Sequence, residues 1–306
     1  MREPMIVRLT RSAARAWWDD DCARLGASLA YYTLFAIAPV LLVATAIAGM
    51  VFGAEAVRGE IVGQLDHLVG REGALAVESL LEGASQRRAG IFATVIGGMT
   101  FIVAATGAFL ELQVALNTIW RVKPRPSGHL RAFVIDRLRS FGLVLAIGFL
   151  LLVSLSVTAA LAVLNAWLFD LSPASSSLWN AASTLVSVVV TTGLFALLFR
   201  FLPDVRLRWR DVTTGGAVTA VLFTIGQQVI GLYLGQSNIA SSYGAAGSMM
   251  ILLLWVYYSC QILLFGAEFT RVYVQRHGAK AKPESFAVKD PLAVNPKSAL
   301  APVSKS

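Results

Sequence analysis

Six times the chain runs through twenty or more mostly apolar residues, roughly 25–53, 90–117, 139–165, 179–202, 211–235 and 247–270. A helix needs ~20 such residues to cross a hydrocarbon core ~30 Å thick. Lipid offers the backbone no hydrogen-bond partner, so each run is expected to be helical. Composition agrees: 56% of residues are hydrophobic and only 14% charged, where soluble domains carry about 25% charged residues. The expected fold class is therefore all-α, a polytopic membrane bundle of six transmembrane helices with short interfacial helices. The first run is too long for the apolar part of a signal peptide and no convincing cleavage site follows it, so it is expected to remain as the first span.

The formal net charge of +8 follows from how the cations are placed. Arg2, Arg8, Arg11, Arg15 and Arg24 precede the first run. Arg121, Lys123, Arg125, Arg131, Arg137 and Arg139 fill the connection after the second. Arg200, Arg206, Arg208 and Arg210 follow the fourth, and Arg271, Arg276, Lys280, Lys282, Lys289, Lys297 and Lys305 follow the sixth. The first connection holds only Arg58, Arg71, Arg87 and Arg88. Twenty-two cations on one side against four on the other place both termini in the cytoplasm, because Lys and Arg mark that face. The basic balance thus needs no nucleic-acid partner. Membrane lipids are the expected partners, and the oligomeric state is left open.

Residues 1–24 are expected to form a cytoplasmic interfacial segment. Ile6, Leu9, Ala13 and Trp17 recur at helical spacing, with Arg8, Arg11 and Arg15 on another face and Trp17 and Trp18 suited to the headgroups. Residues 25–275 form the transmembrane domain. Its outer segment, 54–89, carries two short amphipathic patterns: Val57, Ile61, Leu65, Leu68 and Val69, then Ala74, Leu75, Val77, Leu80 and Leu81. Residues 276–306, with scattered Lys and Pro and no lasting periodicity, are expected to be a disordered cytoplasmic tail. Cys22 and Cys260 are expected at different depths and therefore unpaired.

Polar residues inside the apolar runs are the candidate functional residues. Ser28, Tyr32, Phe35 and Pro39 share one face of the first run, with Tyr31 beside them. Pro39 cannot donate to the carbonyl of Phe35, so a bend or loosening is expected there. Glu111 and Glu268 are carboxylates within the second and sixth runs, where an ionisable group is costly and is either paired or functional. Gln113 and Asn117 share a face near Glu111. Tyr258 and Gln261 form a polar seam with Glu268, and Arg24, Arg121 and Arg271 fall at a similar level. Both readings stay open: the acids brace helix ends against arginines, or they line one inner vestibule opposite Tyr31 and Tyr32. Gly215, Gly216, Gly49-x-x-x-Gly53 and Gly231-x-x-x-Gly235 are expected to allow close helix contact.

Catalytic patterns are absent from the sequence. His67, His129 and His277 are widely separated, and there is no HExxH, CxxC pair, P-loop or GxSxG. No enzyme activity, metal or cofactor is expected.

Three segments, in order, carry a family resemblance: "ASLAYYTLFAIAPVLL", "LPDVRLRWRDVTTGGAVTAVLF" and "SSYGAAGSMMILLLWVYYSCQILLFGAEFTRVY". Over most of residues 12–275 the chain resembles the YihY/virulence factor BrkB family of bacterial inner-membrane proteins. The resemblance implies a six-helix integral membrane protein of the cell envelope and brings no catalytic residues. Members have carried a ribonuclease label, which the absence of clustered acids here does not support. Export and lipid translocation have also been suggested in the family. The expected function is a transporter or lipid-translocating protein of the inner membrane, with a small-molecule or lipid substrate. The second reading is a structural or assembly protein of the envelope that transports nothing.

Overall fold

The computed structural model describes residues 4–52, 59, 62–63, 71–85, 91–124, 176–236, 247–277, 282–284 and 287–290. They contain helices α1 (Met5–Asp19), α2 (Cys22–Phe52), α3 (Arg71–Ser85), α4 (Ile91–Trp120), α5 (Ser176–Phe201), α6 (Trp209–Gln236) and α7 (Gly247–Arg276), and short strands β1 (Val122–Pro124), β2 (Val205–Arg206), β3 (Lys282–Pro283) and β4 (Ala287–Lys289). Helices α2, α4, α5, α6 and α7 are 31, 30, 26, 28 and 30 residues long. Among the described residues, two helical stretches are both long and apolar enough to cross a membrane, Trp209–Tyr233 and Gly247–Arg276; Cys22–Ile37 and Ser187–Phe201 are shorter apolar helical stretches. The third expected run, 139–165, lies outside the described residues, as do Gly53 and all five residues of the first amphipathic pattern of the outer segment. Helix α2 continues through Pro39 as one α-helix.

The chain divides into two compact units. One comprises Met1–Asp20, Gln113–Leu222 and Phe265–Ser306; the other comprises Asp21–Leu112 and Phe223–Leu264. They are called the first and second unit below.

In the first unit, Leu9 and Ala13 of α1 are buried against Phe269 and Val272 of α7. Ile6, expected to share that face, is exposed with Val7 and Trp18. Helix α1 thus packs against protein as well as presenting an apolar edge. Helix α4 ends at Arg121, which adopts φ 55°; this left-handed conformation costs a non-glycine residue roughly 1–2 kcal/mol and turns the chain into β1.

Two reciprocal contacts clamp α6 to α7. Thr219 donates to the carbonyl of Gly215 at 2.7 Å and Thr270 to that of Gly266 at 2.7 Å, each within its own helix. Each threonine lies on the other helix's glycine: Thr270 fills the space where a Cβ on Gly215 would stand, and Thr219 does the same at Gly266. Gly216 lets α5 approach as closely, because a Cβ there would come within 2.8 Å of the Thr192 carbonyl oxygen and 3.0 Å of the Ala196 amide nitrogen. The Gly215–Gly216 expectation is thereby met. Gly231 meets nothing within 4 Å and makes no such contact.

The described residues of the tail are ordered, while most of 276–306 lies outside the described residues. Strand β3 pairs antiparallel with β2, and β4 with β1, so Lys282–Pro283 and Ala287–Lys289 are held against the turns that follow α5 and α4. The Glu284 amide donates to the Asp204 carbonyl and the Asp290 amide to the Arg121 carbonyl, each at 3.0 Å. Ion pairs Arg206–Glu284 and Lys123–Asp290, both 2.9 Å, flank the strands. Composition alone could not show this, because the backbone partners come from distant turns.

The second unit has its own core. Leu29 and Ala30 of α2, Ala76 and Val77 of α3, and Ile251, Leu252, Val256 and Cys260 of α7 are buried together. The second amphipathic pattern of the outer segment is thus a helix whose Ala76–Val77 face packs into protein. Cys22 and Cys260 are both buried and are not joined in a disulfide. Gln261 donates to the Ala23 carbonyl at 3.3 Å. The neighbours of the two cysteines therefore meet, and separation in depth is not what keeps the thiols apart.

Candidate functional site

The two acids of the apolar helices, Glu111 and Glu268, fall in different units, and each has its own surroundings. Glu268, on α7 in the first unit, has no exposed surface. Its Oε2 accepts hydrogen bonds from Nε and Nη2 of Arg271, one turn on, at 2.9 and 2.7 Å. The same Nη2 is 3.1 Å from Oδ2 of Asp20, whose Oδ1 accepts from Nη2 of Arg121 at 3.0 Å. The formal charges of these two carboxylates and two guanidiniums cancel. That balance is what a buried ionic cluster requires, since an unpaired ion in such a place costs several kcal/mol. The cluster ties together the end of α1, the end of α4 and the last turns of α7.

Gln113 and Asn117, on the first-unit part of α4, both bind Asp204 in the turn after α5. Asn117 donates Nδ2 to Oδ2 of Asp204 at 2.7 Å and accepts the Asp204 amide on Oδ1 at 2.8 Å. Gln113 donates to Oδ1 of Asp204 at 3.2 Å. The donors of this polar face are engaged in positioning a turn, and that turn is the one paired by β3. Sequence reasoning missed Asp20 and Asp204. The available signals were the acidic run Asp19–Asp21 at a helix junction and a single acid in an arginine-rich connection.

Glu111 lies on α4 in the second unit and is half-buried. Its Oε1 accepts a hydrogen bond from the Ser28 hydroxyl of α2 at 2.5 Å. Among the described residues it has no ion-pair partner. One turn away on α4, Gly107 leaves room for the Tyr32 ring, to which a Cβ would come within 3.1 Å. Ser28 and Tyr32 are themselves one turn apart on α2, so the two helices meet along a Ser28–Glu111 and Tyr32–Gly107 ladder. Tyr31, Tyr32 and Phe35 are 57%, 41% and 59% exposed. The Tyr31 ring stands edge-on to Tyr32 at 5.7 Å and to Phe35 at 4.9 Å between centroids. The side chain of Pro39 lies outside the described residues.

Tyr258 and Gln261 are also in the second unit. The Tyr258 ring lies against Gly226 of α6, with its hydroxyl 3.1 Å from where a Cβ would stand. Gln261 fills the space above Gly26 at the start of α2. The structure thus joins Ser28, Tyr31, Tyr32 and Glu111 in one unit. It gives Gln113, Asn117 and Glu268 separate partners in the other. Among the described residues, no group of three or more His, Cys, Asp or Glu is placed to hold a metal ion.

Two helices long and apolar enough to cross a membrane, Trp209–Tyr233 and Gly247–Arg276, fit the class of helical membrane proteins. Comparison with known proteins specifies it. The family model for Virulence factor BrkB matches residues 13–290, and the chain belongs to that family. It is 30% identical over 266 residues to the UPF0761 membrane protein of Ralstonia nicotianae, covering 86% of this chain and 58% of the relative. The UPF0761 membrane protein of Rhodospirillum centenum is 29% identical over 274 residues, covering 88% and 58%. That of Halorhodospira halophila is 30% identical over 260 residues, covering 83% and 54%. The chain therefore spans somewhat more than half the length of these relatives. No solved structure matches it.

Proposed function

We propose that the chain is a six-span protein of the bacterial inner membrane, with both termini cytoplasmic, that moves a lipid or small molecule of the cell envelope. Glu111 is the observation that carries this reading. A carboxylate in an apolar helix, half-accessible and, among the described residues, bonded to a serine hydroxyl with no ion-pair partner, is an expensive feature for packing alone. Beside it lies an exposed aromatic surface. Polar groups facing an accessible pathway commonly mark transport routes in membrane helices. No catalytic chemistry is assigned to the chain.

The test is reconstitution into liposomes, with movement of fluorescent phospholipids and of small solutes followed across the bilayer. Glu111→Gln keeps the side chain's size and removes its charge. Transport by the wild type, lost in a folded Glu111→Gln protein, supports the reading. The second reading, an assembly protein, draws on the neutral Glu268–Arg271–Asp20–Arg121 cluster and the paired tail, which suit a rigid scaffold. Specific co-purification with an envelope complex, together with no movement of any tested cargo, favours it.

A further inference from the structure

The α2–α4 ladder of the second unit offers three chemistries along one stripe. Arg24, Ser28, Tyr31, Tyr32 and Phe35 recur at helical spacing on α2, over a rise of ~16 Å from Arg24 to Phe35. The adjoining face, Leu25, Leu29 and Ala36, is buried. Arg24 is exposed and, like Glu111, has no ion-pair partner among the described residues. Along the stripe a cation comes first, then a carboxylate supplied across the ladder by α4, then exposed aromatic rings.

Each feature selects a ligand group. The Glu111 carboxylate has acceptor capacity beyond its one bond from Ser28, since two ionised oxygens offer about four acceptor positions. A primary ammonium group supplies both the charge and the donors. The adjoining Tyr31 and Tyr32 rings add cation–π attraction. Arg24, one turn nearer the helix start, repels a plain cation but attracts a phosphate. The exposed rings from Tyr31 to Phe35, together with exposed Leu110 beside Glu111, suit hydrocarbon. A zwitterionic amphiphile satisfies all three, whereas an anionic lipid leaves Glu111 unpaired and a cationic amphiphile leaves Arg24 opposed.

We propose that this stripe binds the headgroup of an aminophospholipid, its primary ammonium on Glu111 and Ser28, its phosphate toward Arg24 and its chains along the Tyr31–Phe35 rings. From the phosphate at Arg24 the ethanolamine and the glycerol then run in the same direction along α2, the ammonium turning in to Glu111 and the chains passing on over the Tyr31–Phe35 rings. The proposal names the cargo class of the transport reading and rests on that reading for its biological use, but binding is measurable by itself.

The full chain, purified in detergent, is titrated with phosphatidylethanolamine, phosphatidylcholine and phosphatidylglycerol of identical chains, and bound lipid is counted by native mass spectrometry. Phosphatidylethanolamine is expected to bind about tenfold more tightly than either competitor, equivalent to ~1.4 kcal/mol. Glu111→Gln is expected to abolish that preference. Arg24→Gln is expected to weaken phosphatidylethanolamine several-fold while strengthening dodecylammonium, a cation without phosphate. Folding is checked by helical circular dichroism and melting. Tyr31→Leu, at an exposed position, provides a second folded probe and is expected to lower phosphatidylethanolamine binding several-fold. Equal binding of phosphatidylethanolamine and phosphatidylglycerol by the wild type overturns the site. So does an undiminished preference in folded Glu111→Gln, and so does dodecylammonium binding that ignores Arg24→Gln. A wild type that binds phosphatidylethanolamine selectively yet moves no cargo in liposomes defeats the transport reading and leaves the site standing. One that moves cargo without lipid selectivity does the reverse.

Discussion

Glu268 and Glu111 are the same residue in the same kind of apolar helix, and their surroundings give them opposite characters. Glu268 is sealed from solvent, holds Arg271 through two nitrogens and belongs to a cluster whose charges cancel. Glu111 is half-buried, meets one serine hydroxyl and lies beside exposed rings. An acid in an apolar helix is therefore not a functional marker by its identity. What separates brace from site is whether the protein itself supplies the counter-charge.

The sharpest way to break this contrast is to remove the counter-charge where it is present. Arg271→Met leaves Glu268 buried without its cation, and loss of one partner of a buried ion pair costs about 3–5 kcal/mol. A large drop in melting temperature and folded yield is expected, with partial recovery in the Glu268→Gln/Arg271→Met double variant. An unchanged melt would show that the cluster braces nothing.

A smaller loss is expected at the α6–α7 clamp. Gly266→Ala forces a methyl group into the space of the Thr219 side chain, which is fully buried and bonded to Gly215. Overpacking of this kind costs about 1–3 kcal/mol. Pairing it with Thr219→Ala should restore most of the stability in a denaturant titration, because the second change vacates the contested space. Failure to recover would mean that the threonine is not the obstacle.

At the other acid the stability effect should be smaller still. Glu111→Gln keeps an acceptor for Ser28 and removes a charge that has no ion-pair partner among the described residues, so its folded stability should lie within about 1 kcal/mol of wild type, the usual net worth of one hydrogen bond. A loss as large as that of Arg271→Met would make Glu111 a structural residue and erase the distinction.

The smallest effect belongs to the tail. The Lys123 and Arg206 side chains are 53% and 67% exposed, and exposed ion pairs contribute about 0–1 kcal/mol. Lys123→Ala should barely move the melt. Amide hydrogen exchange should still show protection at Glu284 and Asp290, whose backbone bonds to the turns remain. Rapid exchange at both in the wild type would return the tail to the disorder that its composition implied.

Much of the candidate site was legible in the chain. Both acids stood out because a carboxylate amid apolar residues is rare, and the Ser28–Tyr32–Phe35 stripe followed from helical spacing. Gly215 and Gly216 signalled close contact. Other assignments could not follow from position along the chain. Gln113 and Asn117 looked like pathway residues, yet their donors are bound to Asp204, which lies in a turn far away in sequence. Ile6 had the spacing of the buried face of α1 and is exposed. Lys282–Pro283 and Ala287–Lys289 had no periodicity to reveal them, since a strand of two or three residues takes its order from the edge it pairs with.

The sequence by itself determined the family and a helical membrane protein, because runs of apolar side chains and the need to satisfy backbone hydrogen bonds within a helix are local properties. It also marked the few residues whose burial is costly. Only the tertiary structure decided which of them are neutralised. Arg271 reaches Glu268 and Asp20 together, Ser28 reaches Glu111, and Lys282–Pro283 and Ala287–Lys289 find their turns through contacts between distant segments. Such contacts set the electrostatic cost of a buried charge, and no local pattern encodes them.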